Sequence, residues 1–251
     1  MSPRAPSALA AAPAAPTPAV DAPAALAALS AEVVACRRCP RLVDWRERVA
    51  AEKRAAFASE IYWGRPLPGF GDPHARILVL GLAPAAHGGN RTGRVFTGDR
   101  SGDWLFASMW RCGLANQPQS RSRDDGLELR GAYVTAAVRC APPANKPLPA
   151  ERDACFPYLV RELGLLTEVR VVVCLGGFAW EAALRARAAL GEPAPRPRPR
   201  FGHAAELPGE RWPLLGSYHP SQQNTFTGRL TEPMMDAVLH RARELAGLGA
   251  P

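Results

Sequence analysis

Four short apolar runs punctuate the chain, and the segments between them carry helical hydrophobic spacing. Ile77 to Leu80 is unbroken Ile-Leu-Val-Leu, the signature of a strand buried on both faces. Ala132 to Val138, Val171 to Gly177 and Leu214 to Tyr218 read the same way. Helical patterns occupy Leu42 to Ala56, Trp104 to Leu114, Glu151 to Leu166, Phe178 to about Leu190 and Glu232 to Leu245. A further helix runs from Ala24, with Leu26, Leu29, Val33 and Val34 roughly on one face. Strands that alternate with helices predict an α/β fold: a three-layer α/β/α arrangement around a mainly parallel, four-stranded sheet. Right-handed crossovers then gather the loops after the first, second and fourth strands at one end of the sheet.

The loop after Leu80 carries Gly81, Pro84, Gly88, Gly89, Gly93 and Gly98 among His87, Asn90, Arg91, Thr92 and Phe96. Strand, glycine-rich loop and helix form a receiving geometry for a phosphate or a ring. Asp99 or Ser101 can cap the helix that follows. Trp63, Pro66, Pro68 and Phe70 either line a cleft wall or cover a core edge. Residues 1–23 are rich in Ala and Pro and are read as a disordered tail, followed by one domain over 24–251.

Composition adds a partner. The 251 residues carry a formal net charge of +8, which favours a polyanion, and nucleic acid is the default. No apolar run reaches the roughly 18 residues of a transmembrane helix, and the N-terminus lacks a signal-peptide pattern. A cytoplasmic protein is expected, so the six cysteines point to metal or cluster ligation rather than disulfides. Cys36 and Cys39 form a C-x2-C pair, while Cys140 and Cys155 flank a fourteen-residue interval. Four thiolates so arranged can hold zinc or an iron–sulfur cluster, and spacing alone does not choose. Cys112 and Cys174, inside a helix and a strand, are expected in the core.

Three motifs carry a resemblance: GLAPAAHGGNRTGRVFTGD at 81–99, VRCAPPANKP at 138–147 and HPSQQNTFTGRLT at 219–231. With these, residues 32–246 resemble the family 5 (type b) uracil-DNA glycosylases. The resemblance implies a [4Fe–4S] cluster on Cys36, Cys39, Cys140 and Cys155, and a hydrolase that everts and excises a deaminated base from DNA. It implies Asp99 as the carboxylate near the sugar and His219 as the donor to the leaving ring. Gly81, Ala83, His87, Asn90, Phe96 and Asn224 are the implied base contacts. Phe226, Arg229 and Arg91 are the candidates for the DNA wedge and backbone contacts. Leu82 and Ala83 stand where many relatives carry a polar residue, which shifts water activation to Asp99. Ala136 stands where sister families carry an amide that reads uracil, so a broader choice, including hypoxanthine and xanthine, is expected. The protein is expected to act as a monomer. The competing reading is a non-catalytic iron–sulfur protein that binds damaged DNA.

Overall fold

The computed structural model describes residues 21–249. Most of the expected tail lies outside them; its boundary moves slightly, because α1 (Ala22–Val34) starts at Ala22 behind the Asp21 cap. The four expected strands form the centre of the sheet: β2 (Ile77–Gly81), β3 (Ala132–Ala136), β4 (Val171–Leu175) and β6 (Leu214–Ser217). They are parallel, with Ile77 opposite both Ala132 and Val171, and Val172 opposite Leu214. Two-residue antiparallel strands that carry no apolar run, β1 (Phe70–Gly71) and β5 (Glu206–Leu207), close the edges. The order is β1-β3-β2-β4-β6-β5.

Alternation along each strand feeds two cores, as the twofold strand period requires. Ile77, Val79, Val134, Val171, Val173 and Leu215 face a layer holding α4 (Arg100–Arg111) and α8 (Glu232–Leu245). Leu78, Leu80, Tyr133, Val172, Cys174 and Leu214 face the other layer, with α5 (Pro149–Leu165) and α6 (Gly177–Ala189). Cys112 and Cys174 are fully buried in these cores. Trp63 and Phe70 pack against the first core, so this stretch covers a core edge there. No helix among the described residues is long and apolar enough to cross a membrane.

The second expected helix is shorter and shifted: α2 spans Pro40–Glu52 and stops at Lys53, whose φ is +56°. Two one-turn helices were not visible in the spacing, α3 (Gly89–Thr92) and α7 (Gln222–Thr225). Beyond β3, Ala137 and Val138 still donate to the carbonyls of Gly81 and Leu82 at 3.0 and 2.9 Å. The chain leaving β3 is therefore held against the start of the glycine-rich loop.

A buried ion pair anchors this end of the sheet. Arg139 Nη2 donates to Glu162 Oε2 at 2.7 Å and Nη1 to Oε1 at 3.2 Å, with both side chains nearly inaccessible. Arg139 also bonds Thr135 on β3. Removing one member of such a pair leaves an uncompensated buried charge. Glu162→Gln is expected to cost about 3–5 kcal/mol, read by urea unfolding followed through tryptophan fluorescence; a loss below about 1 kcal/mol would show that solvent reaches Arg139.

Candidate active site

The loop from β2 to α4 is built around a carboxylate. Asp99 is the N-cap of α4, and its Oδ1 accepts from the Gly102 amide at 3.0 Å. Its Oδ2 occupies the space a side chain at Gly88 would fill: a Cβ there would overlap that oxygen and lie 2.8 Å from Cγ. Two buried arginines hold the loop in place. Arg91 donates from Nε to the His87 carbonyl and from Nη2 to the Gly98 carbonyl, both at 2.8 Å, and pairs with Glu60. Arg94 reaches Thr97 Oγ1 at 3.0 Å, Ser120 Oγ at 2.7 Å and both oxygens of Asp125 at 2.8 Å. Phe96, two residues after Arg94, has φ +51°, a strained conformation for an aromatic residue. Its ring lies over Gly81, where a Cβ would stand 2.5 Å from Phe96 Cζ.

Phe96, Asp99 and His219 line one pocket of about 410 Å³, with Ala83, Ala136 and Asn145. The rings of Phe96 and His219 are 5.8 Å apart and inclined by 33°. Burial pushes the His219 imidazole down to about 4, so at neutral pH it is uncharged and keeps one N–H to donate. Burial raises the Asp99 carboxyl above its ordinary range, against the lowering pull of the Gly102 and Ser101 amides. The site thus sets a more basic carboxylate and a neutral imidazole around an apolar, partly aromatic slot.

Several predicted contacts fall elsewhere. Asn90 is fully buried, and its Nδ2 donates to the Arg46 carbonyl at 3.1 Å, tying α3 to α2. Arg91 is the clamp described above, so its guanidinium is already bonded to the protein. Asn224 Nδ2 donates to the His219 carbonyl at 2.8 Å, bracing the loop that carries the imidazole. Gly81 supports Phe96 from below. His87 lines an adjoining cleft, with Nδ1 3.1 Å from the Tyr62 hydroxyl. Phe226 is exposed beyond His219, and the Arg100 guanidinium lies 4.4 Å from its ring centroid. Arg229 lies over Tyr218 at 4.5 Å. Asn145 was missed: it reaches the pocket from a turn in which Ala144 and Asn145 both have positive φ. An Asn between prolines was the available signal, since Asn tolerates that conformation.

Cys36, Cys39, Cys140 and Cys155 line one small cavity between the N-terminal helices, the chain after β3 and α5. No group of three or more His, Cys, Asp or Glu among the described residues is arranged for a single metal ion. Donors nonetheless point at the sulfurs: Arg46 Nη1 at 3.0 Å from Cys140 Sγ, and the Arg139 amide at 3.4 Å from Cys155 Sγ. Arg46 Nε and Arg139 Nε, on the same cavity wall, are buried without a hydrogen-bond partner. Four thiols around one cavity, with the Arg46 guanidinium and a backbone amide aimed at two of the sulfurs, suit ligation through thiolates.

Residues 68–243 match the family model of the uracil DNA glycosylase superfamily. The chain is 57% identical over 218 residues to a type-5 uracil-DNA glycosylase of Thermus thermophilus, covering 86% of this chain and 96% of that one. It is 56% identical over 223 residues to a type-5 uracil-DNA glycosylase of Mycobacterium tuberculosis, covering 88% and 81%. A type-4 uracil-DNA glycosylase of Pyrobaculum aerophilum is 27% identical over 161 residues, covering 64% and 74%.

The raised Asp99 carboxyl makes a stability prediction with a definite sign. Between its ordinary value of 3.8 and its higher folded value, the folded state binds more protons than the unfolded one, so stability falls as pH rises through that window. Asn caps a helix as well as Asp and carries no charge. Asp99→Asn should therefore raise the thermal midpoint at pH 7, and the gain should vanish below the ordinary carboxyl range. A lower midpoint at pH 7 would contradict the burial cost.

Proposed function

The chain belongs to the type-5 uracil-DNA glycosylases of the uracil DNA glycosylase superfamily, and on that footing we propose that it excises uracil and deaminated purines from DNA as the first step of base excision repair. One observation carries the reading: Asp99, His219 and Phe96 share a single pocket. A base must leave the stack to reach a site below the surface. The everted ring stacks on Phe96. The neutral His219 donates to a ring oxygen, where negative charge collects as the base departs.

Asp99 sits beside the sugar. The C1′–N bond breaks, its electron pair leaves with the base, and the sugar passes through an oxocarbenium-like state. The carboxylate stabilises that positive charge and orients a water whose oxygen bonds C1′. It accepts the water's proton, and the departing base is protonated in turn. A carboxyl with a raised pKa is a stronger base for that step. The Asn145 amide supplies a further polar contact to the ring or the water. Ala136, small where an amide would restrict the slot, leaves room for hypoxanthine and xanthine.

DNA is held by the basic surface, in keeping with the net charge of +8. Exposed Phe226 is the wedge that fills the vacated stack, at an unstacking cost of about a few kcal/mol per step, with Arg229 beside it.

Cys36, Cys39, Cys140 and Cys155 hold a [4Fe–4S] cluster. When bound, it cross-links four thiolates and so fixes α1 and α2 to the chain after β3 and to α5. Hydrolysis exchanges no electrons, which makes its role structural.

Oligonucleotides bearing uracil, hypoxanthine or xanthine should all yield alkali-labile nicks; cleavage at uracil alone would contradict the broad choice. Asp99→Ala should slow single-turnover excision by about 10²–10⁴-fold while DNA binding persists. The acid limb of the wild-type rate profile should lie above the ordinary aspartate value. An unchanged rate in the variant would remove Asp99 from the mechanism. Cys36→Ser should give colourless, poorly soluble protein; a soluble, fully active, colourless variant would refute the structural role.

A further inference from the structure

The base pocket is not closed on the side of α2. It runs into a second cleft of about 520 Å³, and the two share Ala85, Asp99, Ala144 and Asn145 along their boundary. Trp45 of α2, Arg54 just beyond that helix, His87, and Arg100 at the start of α4 form the new walls. None of these four is needed for cleavage in the reading above.

Three features of the cleft point to one kind of occupant. First, Trp45 is only partly covered, yet its Nε1 is buried without a hydrogen-bond partner. The partly exposed ring gives the cleft wall an aromatic surface, while the N–H itself is inaccessible to solvent. Second, Arg54 and Arg100 are exposed at the margins, and a cationic setting shows in His87, whose pKa is lowered by burial and then by Arg54 and Arg91. Asp99, on the shared boundary, is the acidic side chain of the lining. Third, continuity with the base pocket means that whatever enters lies next to the everted nucleotide. An aromatic face beside guanidinium groups is a stacking platform for single-stranded nucleic acid.

We infer that this cleft is a subsite for the nucleotide next to the everted one on the same strand, with its base against Trp45 and its phosphate facing Arg54 and Arg100. The assignment rests on the proposed function, because that reading is what puts a nucleotide in the first pocket. Its consequence is that the enzyme engages two successive nucleotides of the strand outside the regular stack.

The test uses the full-length protein and single-stranded uracil oligonucleotides under single-turnover conditions. The nucleotide on each side of the uracil is replaced in turn by a baseless spacer. In the wild type, the spacer on one side should raise the half-saturating protein concentration by about 5- to 150-fold, the size of one base–aromatic stack converted at about 1.4 kcal/mol per tenfold. In Trp45→Ala the intact oligonucleotide should show a comparable loss, and the spacer should add nothing to it. Trp45→Phe, which keeps a ring, should restore part of the spacer sensitivity. Arg54→Gln, at an exposed position, should flatten the dependence of log affinity on log salt by about 0.7. Wild-type protein indifferent to the spacer on either side, or spacer sensitivity unchanged in Trp45→Ala, would overturn the subsite while leaving uracil excision intact. Wild-type protein that releases no base from any oligonucleotide would instead overturn the parent reading, and this one with it.

Discussion

A carboxylate set below the surface, against its own preference for water, is the constraint on which this structure turns. Asp99 can occupy that place because Gly88 leaves the volume for one oxygen and α4 offers amides to the other. The surrounding loop cannot relax away from it, since Arg91 and Arg94 tie its carbonyls and hydroxyls to Glu60, Ser120 and Asp125. The strain visible in Phe96 belongs to the same construction, because its left-handed backbone lays the ring across Gly81 and opposite His219. Burial, strain and close glycine contacts all act against stability. Their convergence in one loop is what distinguishes a site from a connection.

The cysteine cavity and this loop are joined through a short run of contacts. Arg46 donates to Cys140 Sγ and to the Cys36 carbonyl. Its own carbonyl accepts from Asn90, which belongs to the turn between Gly88 and Arg91. On the other side, the Arg139 amide faces Cys155, while its guanidinium reaches Thr135 and Glu162. In the proposed reading, a cluster bound at the four thiols would brace both the glycine-rich loop and the chain leaving β3, the two segments that supply Asp99 and Asn145 to the pocket. The N-terminal helices then serve the site twice, since Trp45 sits one residue before Arg46.

The layers of the fold were legible because buried parallel strands are continuous apolar runs, and all four central ones stood out. The edge strands were not, since two residues carry no periodicity. The start of α4 was hidden behind the polar stretch Arg100 to Asp103, although Asp99 was recognisable as its cap. At the site, the residues that share the pocket were visible in the motifs. Asn90, Arg91 and Asn224, expected as ligand contacts, donate to carbonyls of the protein itself, and spacing does not foretell this, because an internal clamp and a ligand contact both call for a polar side chain in these loops. Which one a residue becomes depends on carbonyls contributed from α2, from the loop itself or from the His219 segment. Asn145 escaped notice because its signal is a backbone conformation rather than a spacing.

The central claim is spatial, and a structure tests it most directly. The protein would be crystallised with an oligonucleotide carrying a 2′-fluorinated deoxyuridine, which resists cleavage. The account predicts the uracil ring against Phe96, a ring oxygen within hydrogen-bond reach of His219, and C1′ facing the Asp99 carboxylate. Uracil left in the helical stack, or bound on a surface remote from these three residues, would contradict it.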